Sequence, residues 1–278
     1  MSHNPACFAA HMGLWLIHDA WFWRALSAIE AGLVPQLREG RPDNSIEFGF
    51  DPRGELLEDG TAVIPITGPM TKAGSAKFGE SSTLTTRRAI RNAARDNDVE
   101  RIMLYIDSPG GHFAGTNELA QDFRDAGQIK PTMAHIEDMG ASAAYYVGSQ
   151  AHLININPTG ETGSIGTIGA VMDRSKEYEM MGRKVHVFST GPYKGMGVPG
   201  TQVTKEMAAI WQSEVDRANG FFLDAVTAGR DGIMSRKQVE AVADGRTYGA
   251  DEALNLGLVD QVSFFDDFLE EASSYAMG

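Results

Sequence analysis

The chain has 278 residues, 42% hydrophobic and 22% charged, the proportions of a folded protein large enough for a substantial core. A formal net charge of −13 argues against binding nucleic acid through its phosphates, which needs a basic face. Cys7 is the only cysteine, which excludes an intrachain disulfide and a cysteine metal cluster and fits a reducing compartment; the histidines show no ligand spacing, so no metal site is expected.

Residues 1–45 read as a helical arm ending in the polar linker "REGRPDNS". Phe22, Leu26, Ile29 and Leu33 follow helical spacing. His11, His18, Asp19 and Arg24 interrupt the apolar character before about 18 clean residues accumulate. An amphipathic helix docked on the body or on another subunit is expected, with no membrane anchor. "TAVIPITGPM" (61–70) predicts a strand ending in a Gly-Pro turn, and 82–99 a helix capped by Ser82 or Thr83. "RIMLYI" (101–106) is a buried strand, followed by a helix over 114–127. Strands are expected at 130–137, 152–158 and 184–190, with helices following 138–142, at 174–182 and at 204–228. A short helix starts near Ser235, and 247–262 supplies a last helix and strand. Strand–helix alternation with short connectors makes the fold class α/β, with parallel pairing and right-handed crossovers.

Three unusual turns each follow an expected strand: "SPGG" at 108–111, "MGAS" at 139–142 and "GPYKG" at 191–195. In a parallel sheet such strand ends gather at one edge, where ligands bind. That edge would carry glycine amides, the Ser142 hydroxyl and the Lys194 amine: oxyanion donors, a nucleophile and a base, sufficient for acyl transfer. A lysine is protonated at neutral pH unless burial disfavours its charge, and Tyr193, Met196, Val198 and Pro199 flank Lys194 with no nearby carboxylate in the sequence. Each piece has an ordinary reading as well. A serine after a tight turn can be a helix N-cap, a lysine in a Gly/Pro loop can be solvated, and SPGG can be a plain turn.

In this order and spacing, "LYIDSPGG", "DMGASAAYY", "TGSIGTIG" and "GPYKG" resemble the S49 family of serine peptidases, the signal peptide peptidase A type and the related bacteriophage head-maturation proteases. The resemblance covers about 60–262. It implies a ClpP/crotonase-like spiral of ββα units, here spanning 46–265 between the N-terminal helical arm (1–45) and a C-terminal tail (266–278). It implies a Ser-Lys dyad of Ser142 and Lys194, oxyanion amides from Gly111 and Ala143, and Ser164 orienting the lysine amine. It also implies polypeptide substrates, a homo-oligomeric ring and no cofactor. Ala143 and Ala144 stand where cellular members usually have Gly-Gly, so substrate preference does not transfer. The expected lack of an anchor and the aromatic N-terminal helix resemble the phage branch. The expectation is an endopeptidase processing scaffold or capsid proteins in the host cytoplasm or the procapsid.

Three rivals stand beside it. One is a Ser-His-Asp triad using His152 or His186; another is an acyl-CoA enzyme of the crotonase type. The third is a catalytically silent assembly protein of the same fold. Tyr145 and Tyr146 are expected to pack behind the nucleophile, "RRAIR" (87–91) to be a solvated face, and Trp211, Val215, Ala218 and Phe222 to be core or subunit interface.

Overall fold

The computed structural model describes residues 54–74 and 79–273, together with the backbone of a strand, β1, at Trp15–Ile17. At those three positions the arm is a strand, not a helix; Trp, Leu and Ile accept either state, and pairing with another strand settles it. The rest of the expected arm lies outside the described residues.

The elements run β2 (Glu55–Leu56), β3 (Thr61–Thr67), β4 (Met70–Thr71), β5 (Ser81–Ser82), α1 (Thr83–Arg95), β6 (Arg101–Ser108), β7 (Gly110–His112), α2 (Thr116–Gly127), β8 (Thr132–Ala141) and α3 (Ala143–Gly148). They continue β9 (Leu153–Ile156), β10 (Glu161–Gly163), α4 (Ser175–Met180), α5 (Lys205–Gly229), α6 (Arg236–Val242), β11 (Thr247–Gly249), α7 (Ala250–Leu256), β12 (Gln261–Val262) and α8 (Phe265–Ala272). The large sheet has the order β11-β10-β8-β6-β3-β2, with β9 paired to β8 and to β12. Its inner pairs are parallel, as the alternation predicts, and β2 and β11 join antiparallel at the edges. A small sheet has the order β1-β7-β4-β5.

Two tight turns make the units. β3 passes through Gly68 and Pro69 into β4, and β6 passes through Pro109 into β7, so each unit crosses from the large sheet to the small one before its helix. The side chain of Ser108 holds this arrangement: its Oγ donates to the Gly68 carbonyl at 2.7 Å and accepts from the Gly110 N–H at 3.2 Å.

Alternate residues of β6 face opposite ways. Ile102, Leu104 and Ile106 join the main core beneath α1, α2 and α3, whereas Met103 packs with Met133, Phe268 and Ala272 on the other side. Every residue of α3 is buried. Tyr145 Oη donates to the Leu258 carbonyl at 2.8 Å and Tyr146 Oη to Asn117 Oδ1 at 2.8 Å, so both rings do pack behind the turn that precedes them. In "RRAIR" Arg88 and Arg91 are exposed, as expected of a solvated face, while Arg87 is half-buried, and Arg87 and Arg91 both bind the Asp122 carboxylate of α2.

The strand expected at 184–190 is absent, and almost all of 181–190 is exposed. Its alternation needs a neighbouring strand, and none of the described strands pairs with it. The expected helix at 204–228 forms as α5, capped by the Thr204 hydroxyl. Only from Ala218 onward does it bury side chains. Ala218 and Phe222 are core, while Trp211 and Val215 are half-buried.

Arg230, 1% exposed, ends α5 with a two-pronged ion pair to Asp260 (3.0 and 2.6 Å) and a bond to the Gly257 carbonyl. Asp260 Oδ2 also accepts from the Ile154 N–H at 2.8 Å, tying α5 to β9. Asp260→Ala leaves a buried guanidinium without its counter-charge and should destabilise the fold by about 3–5 kcal/mol in chemical denaturation.

His135 is fully buried between Asn155, Glu137, Tyr105, Phe265 and Phe268. Burial holds its imidazole below the ordinary range, against the opposing pull of Glu137. Below about pH 6.5 the unfolded chain therefore binds a proton that the folded chain refuses. Stability should fall as pH drops through that window until the folded-state value is reached. His135→Gln should flatten this part of a melting-temperature profile between pH 7 and 5.

Candidate active site

Ser142 joins β8 to α3 with φ 55° and ψ −116°, a backbone region that L-residues avoid at a cost of order 1–3 kcal/mol. Two main-chain bonds hold it there: its N–H donates to the Gly163 carbonyl at 2.8 Å, and its carbonyl accepts from the Tyr146 N–H at 2.8 Å. The pairing of Ala141 with Gly163 in β10 continues the first of these. The residue occupies the N-cap position, yet its side chain makes no capping bond. Among the described residues its Oγ, in a residue 1% exposed, is buried without any hydrogen-bond partner. The N-cap reading of this serine therefore fails. A strained turn between strand and helix, presenting an unengaged hydroxyl, is the form nucleophilic serines take in α/β hydrolases.

Ala143 is the first residue of α3, where a main-chain N–H has no intrahelical partner. Gly111 lies in β7, opposite Met70 of β4 on one side and Leu16 of β1 on the other. A Cβ on Gly111 would stand 1.9 Å from the Met70 carbonyl oxygen, so only glycine permits this crossing. β7 and α3 pack together, which brings the SPGG turn beside the Ser142 turn.

Ser164 follows Gly163 with φ 50° and is nearly buried, its N–H bound to the Arg246 carbonyl at 2.7 Å. It opens a cleft of about 590 Å³ lined also by Thr167, Gln212, Asp216, Asn219 and Arg246. Thr167 Oγ1 and Asn219 Oδ1 are buried without partners in this cleft. Sequence reasoning singled out neither: Thr167 lies within the "TGSIGTIG" motif but was given no role there, and Asn219 falls in no motif.

Lys194 is exposed, in a turn where its N–H bonds the Gly191 carbonyl at 3.2 Å. Because Ser142 Oγ has no partner, the amine does not reach it within this chain. The structure thus brings two of the three turns together and leaves the third apart, for want of the strand at 184–190. The histidine rivals fare worse. His152 Nδ1 lies 3.1 Å from the Thr132 N–H, at the opposite end of β8 from Ser142, roughly 30 Å away at strand rise. His186 is exposed in the unpaired segment.

Residues 124–277 match the profile of peptidase family S49, and the chain belongs to that family. Among curated relatives, the serine protease SPPA of Arabidopsis thaliana chloroplasts is 27% identical over 74% of this chain and 30% of its own length. The capsid assembly protease C of Escherichia phage lambda is 27% identical over 91% of this chain and 57% of its own. The head-tail preconnector protein GP5 of Enterobacteria phage P21 is 25% identical over 73% of this chain and 41% of its own. The chain thus spans between 30% and 57% of the length of these three relatives. An enoyl-CoA hydratase/isomerase family protein from Silicibacter pomeroyi superposes with a TM-score of 0.50 at 16% identity, over 79% of this chain and 80% of its own. The fold is crotonase-like, as the sequence led us to expect. Among the described residues, no helix is long and apolar enough to cross a membrane.

The crossing at Gly111 is directly testable. Gly111→Ala should force β4 and β7 apart and destabilise the protein by about 1–3 kcal/mol, measured by urea denaturation.

Proposed function

We propose that this protein is a serine endopeptidase in which Ser142 is the nucleophile and Lys194 of a neighbouring copy is the general base. The observation that carries this reading is the Ser142 hydroxyl, buried, unpartnered and held on a strained turn. Neutral Lys194 takes the Ser142 proton as Oγ attacks a peptide carbonyl. The amides of Gly111 and Ala143 receive the developing oxyanion, and each such donor is typically worth ~10²–10³ in turnover. The lysine returns the proton to the leaving amine, and a water molecule then hydrolyses the acyl-enzyme. Ser164 holds the amine in line.

Supply of the lysine from a second copy rests on the segment that bears it. Met180 is 83% exposed, Phe188 94% and Tyr193 50%, while Val187 is also open to solvent. So much apolar surface on one segment marks a contact with another protein surface. Burial there would strip water from the amine and favour its uncharged form. The cleft beside Ser164, with two unpartnered polar atoms, is the seat we assign to the incoming segment. A closed homo-oligomeric ring satisfies every copy in this way.

Scaffold and capsid proteins of a phage head are the substrates we favour. The support is the lambda capsid assembly protease, whose match extends over 91% of this chain.

Three proteins test the proposal against such substrates, read by mass spectrometry of the products. Ser142→Ala and Lys194→Ala should each lose on the order of 10⁴–10⁶ in rate. Co-assembled in equal amounts, the two inactive variants should recover about a quarter of wild-type activity, since a quarter of the inter-copy pairs are then intact. Cleavage by Ser142→Ala would overturn the serine mechanism. Absence of recovery in properly assembled mixtures would overturn the shared dyad.

A further inference from the structure

From Gly166 to Arg217 no residue is buried, and α4 within this stretch buries nothing. Lys194 sits near its middle, so no core contact fixes where its amine points. The stretch nevertheless packs against itself. The Tyr178 ring lies against Gly200, at φ 85°, where a side chain would otherwise stand. Val187 lies against Gly195 in the same manner, beside Lys194. The Arg183 N–H donates to the Tyr178 carbonyl at 2.8 Å and the Thr201 N–H to the Val198 carbonyl at 3.1 Å.

The two ends of this lobe meet at Asp173. Its Oδ1 accepts from the Ser175 N–H at 2.9 Å and from the Ser175 hydroxyl at 2.6 Å, on the entering chain. Its Oδ2 accepts from the Val203 N–H at 3.0 Å, on the departing chain. Val203 directly precedes Thr204, whose hydroxyl accepts from the Met207 N–H at 3.3 Å and starts α5. Ala218 and Phe222 anchor α5 in the core. One carboxylate thereby joins the base of the lobe to a helix that the body holds.

We propose that Asp173 is a positioning residue for Lys194: it clasps residues 173–203 into one lobe seated on α5 and so sets where the amine is delivered. The inference rests on the peptidase reading above and names what aims its base. Both Asp173 oxygens are taken up by Ser175 and Val203, so the residue acts on the amine only through the backbone. A carboxylate suits the task because two acceptor oxygens serve donors on two chain segments at once. Asp173 is exposed and the lobe buries nothing, so its loss leaves the core intact. The effect falls on catalysis instead, where a base displaced by about 1 Å can cost about 10²-fold.

The test compares the full chain with its Asp173→Ala variant, using fluorophore-labelled casein as the probe substrate. Hydrogen exchange at the Ser175 and Val203 amides should accelerate. The value of kcat should fall about 10–100-fold with KM unchanged, since substrate does not touch the clasp. Asp173→Asn keeps one acceptor oxygen and should recover part of the lost kcat. Val203→Pro removes the same bond from the donor side and should reproduce the loss; it replaces Asp173→Ala if that variant does not fold. In co-assembled mixtures of Ser142→Ala and Lys194→Ala, the clasp should matter on one chain only. Asp173→Ala on the Ser142→Ala chain, which supplies the lysine, should cut the recovered activity by the same factor. On the Lys194→Ala chain, which supplies the serine, it should leave the recovery intact.

Unchanged exchange overturns the clasp. Unchanged kcat, a rise in KM alone, or an asparagine variant no better than alanine overturns the positioning role. Equal loss from either placement in the mixtures overturns it too, because general damage then explains the effect. A parent mixture that recovers nothing refutes the shared dyad alone, and kcat of the single variants decides the role of Asp173. A wild type that cleaves nothing refutes the peptidase reading alone, and exchange still decides the clasp.

Discussion

The region around Ser142 hangs on one main-chain hydrogen bond, from its N–H to the Gly163 carbonyl at 2.8 Å. A serine at φ 55° would relax into an ordinary helix cap if left to itself. Pairing of β10 with β8 fixes the acceptor, and burial of all six residues of α3 fixes the other side of the turn. The strain is thus borne by the sheet and the core. Its consequence is a hydroxyl that caps nothing and bonds nothing, the ground-state condition a nucleophile needs.

The same edge is built by close approaches that side chains would prevent. Gly111 admits the Met70 carbonyl, and Ser108 bonds both Gly68 and Gly110, so the two ββ turns are locked to one another. Rigidity there contrasts with the stretch from Met180 to Tyr193, whose apolar side chains stand in solvent. The fold thus places buried glycines in one turn and leaves the lysine-bearing turn on an open surface. In the reading proposed here, assembly brings the two together.

Much of this was legible from residue order. The apolar runs at 61–67 and 101–106 gave β3 and β6 because continuous branched apolar sequence between turn signals fits a strand buried on both faces. Ser82, Thr204 and Ser235 marked helix starts correctly, since a capping hydroxyl acts on amides two or three residues away and needs no distant partner. Proline and paired glycine at 109–111 marked the tight turn between β6 and β7 for the same local reason.

Sequence by itself determined what depends on neighbours along the chain: the α/β alternation, the caps, the special turns and the choice of Ser142 as a residue of interest. Tertiary structure alone decided what depends on partners far away. "KVHVFST" has strand periodicity but finds no edge to pair with, whereas Trp15–Ile17, in a helix-like context, finds β7. The Arg230–Asp260 pair, the buried His135 and the orphaned Thr167 and Asn219 atoms likewise arise where remote segments meet. A strand or an ion pair is stabilised by contact, and contact between distant segments is not encoded in the local spacing of residues.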